Sequence, residues 1–168
     1  MVVTTKEIDW TAVVQAHHDR LAGLAFVIVG DRQDAADAVQ TAFEKAYRAR
    51  GKFDARRPIE GWLIRITCNE AKSLVRRRRS VVSRSLTGLE ASRSTTDRID
   101  DRLLVEMALA TLDAKHRATV GLYYLYGYGV DEVAQILHVP RGTVASRLHY
   151  ARLTLERLLD SQREGDSQ

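Results

Sequence analysis

Apolar residues recur at three- and four-residue steps along most of this chain, and only two prolines, Pro58 and Pro140, interrupt its 168 residues. Helix-period patterning with so few breakers, and few β-branched runs, predicts an all-α fold. Val13, His17, Leu21, Leu24 and Ile28 mark a first helix over 9–29, with His17 on its apolar stripe, and Gly30 ends it. Asp31 is the candidate cap of a second helix over 33–50, closed by Gly51. The segment KFDARR reads as a loop, and Pro58 suits the first turn of a third helix.

The third helix carries two stripes. Ile64, Cys68, Ala71 and Val75 follow +4, +3, +4 steps and form the face to be buried. Arg65, Asn69, Lys72 and Arg76 follow the same steps, rotated by about 100°. One basic stripe with an asparagine in it therefore edges the core face, and it runs into Arg76, Arg77, Arg78 and Arg79.

Residues 80–101 lack a sustained apolar period and are rich in Ser, Thr, Arg and Asp. They read as a flexible linker, with a short helical turn around Leu86–Leu89. The expected architecture is thus two small helical domains, 9–79 and 102–160. In the second, Leu103, Leu104, Met107 and Leu112 mark one helix, Asp113 caps the next, and Gly127 stops it. Two helices follow, 130–137 and 143–159, joined by HVPRG.

That last pair has the pattern of a helix-turn-helix. Val144, Leu148, Ala151, Leu155 and Leu158 form the inner stripe of the longer helix. Thr143 stands where its hydroxyl would cap. Ser146, His149 and Tyr150 point away from the core, flanked by Ala145 and Arg147. The outward N-terminal residues of such a helix meet base edges in the major groove, where Arg reads guanine. Arg141, Arg152 and Arg157 suit phosphates, which supply affinity without sequence.

Charge is distributed in blocks. Residues 45–79 hold 12 basic and 3 acidic side chains, and residues 139–157 hold 4 and 1. The rest of the chain is acidic on balance, and residues 1–44 have 3 basic and 7 acidic groups. Two basic footprints point to two contacts with a polyanion. The single cysteine, Cys68, forms no disulfide within the chain and is a poor start for a metal site, which suits a reducing, cytoplasmic setting. The longest apolar run, Leu21–Val29, is far short of a membrane span, and the N-terminus lacks the basic start and apolar stretch of a signal peptide. No nucleophile or metal constellation and no glycine-rich phosphate loop is present, so catalysis and a cofactor are not expected.

GDRQDAADAVQTAFEKAYR followed by EGWLIRITCNEAKSLVRRRR resembles the second conserved region of extracytoplasmic-function (ECF) sigma factors. TLDAKHRATVGLYYLYGYGVDEVAQILHVPRGTVASRLHYARLTLERLL is similar to the fourth region of that family, in the family's order. The resemblance implies an alternative sigma factor that binds bacterial core RNA polymerase and promoter DNA. It implies polymerase contacts at Asp34, Asp37, Gln40 and Phe43. It implies −10 recognition and strand capture by Arg65, Asn69, Lys72 and Arg76–Arg79, with the loop Lys52–Arg57 forming part of the base pocket. It implies −35 reading by the helix-turn-helix. Control by an anti-sigma factor, and a monomer outside the polymerase, are part of the same expectation. Three positions depart from the family: Gly129 replaces the common Ser or Thr cap, His138 replaces the turn glycine, and Tyr150 replaces an arginine. The competing reading is a helix-turn-helix regulator that binds duplex DNA without polymerase. It leaves the Asn-bearing stripe and the acidic second helix unexplained.

Overall fold

The structure, a computed structural model, describes residues 8–84 and 101–165. Among these residues there are helices and turns and no strand. Helix α1 (Trp10–Val29) starts at Asp9, whose Oδ1 accepts from the N–H groups of Thr11 and Ala12 at 3.0 and 3.1 Å. It stops at Gly30, which sits at φ 79°, a left-handed conformation that glycine adopts without strain. Asp31 then caps α2 (Arg32–Arg48) by accepting from the Asp34 N–H at 2.9 Å. Ala35, Ala38, Val39, Ala42 and Ala46 are buried, and these small side chains let α2 lie close against α1 and α3. Helix α2 ends two residues short of the expected 50, and a single 3₁₀ turn, Arg50–Lys52, follows it. His17 is half-buried rather than in the core.

Helix α3 (Ile59–Arg84) buries Leu63, Ile64, Thr67, Cys68 and Ala71 against α1 and α2. It continues past residue 79, because no glycine or proline stands there to stop it. Residues 85–100 lie outside the described residues, and with them most of the linker and the expected turn at Leu86–Leu89.

The second half starts with α4 (Asp101–Thr111) and α5 (Ala114–Val120). Asp113 caps α5 through the N–H groups of Lys115 and His116 at 2.8 and 3.0 Å. One π-helical turn (Gly121–Leu125) and Gly127, at φ 71°, then reverse the chain. Helix α6 (Val130–Leu137) begins at Gly129, whose own N–H donates to Glu132 Oε2 at 2.7 Å; this is the glutamate half of a capping box, and no cap side chain accepts from the first-turn N–H groups. His138 takes the left-handed turn position at φ 52°, ψ 51°, as the missing turn glycine leads one to expect.

Helix α7 (Arg141–Gly165) begins two residues earlier than the sequence suggests. The Pro140 carbonyl accepts from the Thr143 and Val144 N–H groups at 2.9 and 3.3 Å. Thr143 is therefore inside the first turn and does not cap; its carbonyl instead accepts from the Ser146 hydroxyl at 3.0 Å. Val144, Leu148 and Ala151 are buried as expected, and Leu155 and Leu158 are half-buried.

The two halves share one continuous apolar core. Leu21, Leu24, Ile28, Leu63 and Ile64 from the first half meet Leu112, Leu122 and Val133 from the second. The tightest approach is at Gly121, where a Cβ would stand 3.2 Å from Leu24 Cδ1 and 3.4 Å from Val27 Cγ1. Polar contacts frame this seam. The Tyr126 hydroxyl donates to the Arg20 carbonyl, and the Arg20 guanidinium lies 5.0 Å from the Tyr126 ring centre while pairing with Glu60 at 2.6 Å. The Arg65 guanidinium donates to His138 Nε2 across the seam.

Gly121→Leu tests the seam. Gly121 has ordinary helical angles, so leucine suits its backbone but collides with α1. We expect the variant to lose about 1–3 kcal/mol by overpacking, and its radius of gyration in small-angle scattering to rise as the halves part. An unchanged radius would show that the halves are not held together at this point.

Candidate nucleic-acid interface

The basic stripe of α3 lies where its spacing places it. Cys68 and Ala71 are fully buried, so residues one step round the helix come to the edge of that face. Asn69 and Arg76 are exposed, and Arg65 and Lys72 are half-buried. Asn69, Lys72, Arg76 and Arg79 line a cleft of about 570 Å³, and Asp113, Ala114 and Lys115 of the second half close its other side.

The four consecutive arginines do not act as one group. Successive helix residues are rotated by about 100°, so a run of four covers the circumference. Arg76 and Arg79 turn to the cleft. Arg77 lines a separate groove of about 320 Å³ between α2 and α3, with Asp37, Gln40 and Glu70. Arg78 pairs through Nε with Asp34 Oδ2 at 2.7 Å, and Asp31 is 4.0 Å away. The structure thus joins Asp34, expected at the polymerase, to Arg78, expected at DNA.

The other α2 residues spread along two faces. Asp37 is exposed and accepts from Gln33 Nε2 at 3.2 Å, and exposed Gln40 donates to Glu44 Oε1 at 3.3 Å. Phe43 is half-buried, its ring parallel to His18 at 6.5 Å, so it is neither plain core nor part of the Asp37–Gln40 groove. In the loop expected to hold a base, Asp54 accepts from Arg56 Nε at 2.9 Å, and that bond holds its carboxyl below the usual range. Phe53 packs beside Trp62 at 5.1 Å, while Lys52, Arg56 and Arg57 stay exposed.

On α7, Arg141, Ala145, Ser146, His149, Tyr150 and Arg152 are exposed, and Thr143 and Arg147 are half-buried. Arg141 pairs with Asp131 at 3.2 Å. The Tyr150 ring rests 4.6 Å from the His116 ring, and Arg152 Nη2 donates to the Tyr124 hydroxyl at 3.4 Å. Tyr150 is thereby tied back to α5.

The two basic elements meet at the seam. Burial pushes the Lys72 amine below the ordinary lysine range, and the positive charges of Arg147, Arg65 and Lys115 push the same way. Arg117, almost fully buried beside them, has its guanidinium lowered by burial and by Arg79. Asp113 is the acid at this place. Burial alone would raise its carboxyl, but the N–H groups of His116 and Lys115 and the His116 ring hold it at about 2. Sequence reasoning missed Lys115 and Arg117, which stand in a segment that is acidic on balance and reach the stripe only through tertiary packing.

A family model described as sigma-70 region 2 matches residues 13–81, and one described as sigma-70 region 4 matches residues 102–155. The chain is 34% identical over 164 aligned positions to the ECF RNA polymerase sigma factor SigL of Mycobacterium tuberculosis, covering 88% of this chain and 91% of that one. It is 33% identical to SigM of the same species over 143 positions, covering 85% and 73%. Among solved structures it resembles the sigma factor RpoE of Bartonella quintana in complex with the anti-sigma factor NepR. The TM-score is 0.74 at 26% identity, covering 90% and 97% of the two chains. A second match is CnrH in complex with the cytosolic domain of CnrY, with TM-score 0.66 and 28% identity, covering 90% and 88%. The chain belongs to the ECF RNA polymerase sigma factors. It is an alternative sigma factor that directs promoter-specific transcription. Among the described residues no helix is long and apolar enough to cross a membrane.

Cys68 touches none of these surfaces. It is fully buried on the core face of α3, and burial pushes its thiol up to about 12. We expect iodoacetamide to leave it unmodified in the folded protein at pH 8 and to label it in guanidinium; rapid native labelling would place it in an exposed, reactive setting instead.

Proposed function

We propose that α3 captures the unpaired −10 strand and that the N-terminal half of α7 reads the −35 element. The carrying observation is exposed Asn69 within a cationic stripe, between Arg65 and Lys72 on one helix edge. An amide both donates and accepts, so it matches the edge of an unpaired base, while Arg65, Lys72, Arg76 and Arg79 offer charge to the backbone. On α7, Ala145, Ser146, Arg147 and His149 face bases, and Arg141, Thr143, Tyr150 and Arg152 face the flanking backbone. Core polymerase docks on α2. The groove of Asp37, Gln40 and Arg77 supports this, with Phe43 against His18 of α1 on a different face of the helix and Asp34 pairing with Arg78 of α3.

The protein performs no chemistry of its own in this reading. It acts as a monomer in the cytoplasm and lends recognition to the polymerase that holds the active site. One structural neighbour was solved with the anti-sigma factor NepR and another with the cytosolic domain of CnrY, which supports control by a protein partner here. Promoter binding on this account needs an opened molecule. Elements centred some 25 base pairs apart lie about 85 Å apart at 3.4 Å per pair, whereas Lys72 and Arg147 act on each other across the seam.

Two substitutions separate the roles. Arg147→Ala is expected to weaken promoter binding by the holoenzyme and relax −35 choice by about 1–3 kcal/mol, read by competition between promoter variants. Undiminished selectivity would remove α7 from base reading. Asn69→Ala is expected to preserve closed-complex formation but lower permanganate reactivity of −10 thymines. Normal reactivity would assign strand capture elsewhere.

A further inference from the structure

The cleft between α3 and α5 concentrates positive charge with no matching acid. Lys72, Arg76 and Arg79 line one side and Lys115 the other. Among the described residues, none of these four cations makes an ion pair with a carboxylate. The positive charges of Arg65 and Arg147 are close enough to act on Lys72, as that of Arg79 is on Arg117. The one acid in the lining, Asp113, is already engaged by two backbone N–H groups and by His116 Nδ1 at 2.9 Å. Bringing the two halves together therefore gathers like charges that the protein itself does not neutralise.

The cleft volume, about 570 Å³, is in the range of pockets that hold small ligands. It is too small for a duplex whose major groove alone is about 12 Å wide. Guanidinium forks match phosphate oxygens two at a time, and lysine adds point charge, so Arg76, Arg79, Lys72 and Lys115 suit a chain of phosphates. The walls come from both halves, so such a ligand bridges them.

We propose that this cleft binds a small phosphate polyanion, either an inorganic oligophosphate or the phosphate chain of a nucleotide, and that the bound ligand holds the two halves closed. Asn69 and Lys72 are then occupied within the cleft and withheld from DNA. This regulatory consequence rests on the strand-capture reading of Asn69; the binding does not.

The test uses the full chain with sodium tripolyphosphate and, separately, ATP, both without magnesium, in isothermal calorimetry and thermal unfolding. Saturable one-to-one binding with a raised unfolding midpoint is expected. Lys115→Glu is the decisive variant, because the Lys115 side chain is exposed and lies outside the proposed polymerase and promoter contacts. It is expected to weaken binding tenfold or more, about the loss of one charge-assisted contact, with an unchanged circular dichroism spectrum. Equal affinity for the two ligands identifies the phosphate chain as the recognised group, and tighter ATP binding adds a contact to the nucleoside. No saturable binding to the folded protein overturns the proposal, as does equal affinity for hexaglutamate or no effect of Lys115→Glu. Open-complex formation without nucleotides separates the second question. Tripolyphosphate should suppress permanganate reactivity with the wild type more than with Lys115→Glu. Binding that leaves both equally reactive keeps the site and removes the strand-capture reading of Asn69.

Discussion

The approach of Gly121 to Leu24 and Val27 decides where the charged groups of this protein stand. With no side chain at 121, the π turn lies directly on α1, and α5 comes with it. That brings Lys115 and Asp113 to the α3 stripe and places His138 beside Arg65. Apolar burial drives the contact, since leucines and isoleucines of both halves join one core. The electrostatic cost is local and falls on Lys72 and Arg117, the cations least able to reach water. A fold held by its core tolerates this repulsion and also keeps it in store.

Features set by neighbouring residues were legible in the sequence. Gly30, Asp31 and Asp113 each act within a few positions, and each does in the structure what its chemistry predicts. The stripe of Arg65, Asn69, Lys72 and Arg76 was legible for the same reason, because helical geometry alone separates it from Cys68 and Ala71. Thr143 was misleading. Pro140 has a carbonyl free to accept from the first turn, so the helix starts before the hydroxyl can contribute. The four arginines read as one patch because sequence proximity hides a full turn of rotation. Nothing local marks the end of α3 or the union of the two halves, and Lys115 comes to line the cleft opposite the stripe only through tertiary packing.

The acidic and basic faces are coupled rather than separate. Arg78 is held by Asp34 and Asp31, while Arg77, one residue earlier, faces Asp37 and Gln40. The end of α3 is thus tied to the start of α2 by charge, beyond the alanine contacts that pack them. A partner docking on the acidic side of α2 competes for arginines that neighbour the proposed strand-binding stripe. In the proposed arrangement, polymerase binding and exposure of that stripe share side chains.

The charge gathered at the seam makes the closed form sensitive to dissolved ions in its own right. Added electrolyte shortens the screening distance from about 10 Å at 0.1 M to about 3 Å at 1 M. Repulsion among Lys72, Arg147, Arg65 and Lys115 then weakens, and the compact arrangement is favoured. The same electrolyte weakens contacts with DNA phosphates. On the proposed reading, in which promoter binding needs the opened molecule, both effects draw the protein off the promoter, and its dependence on ionic strength is expected to be steeper than a count of phosphate contacts alone would give.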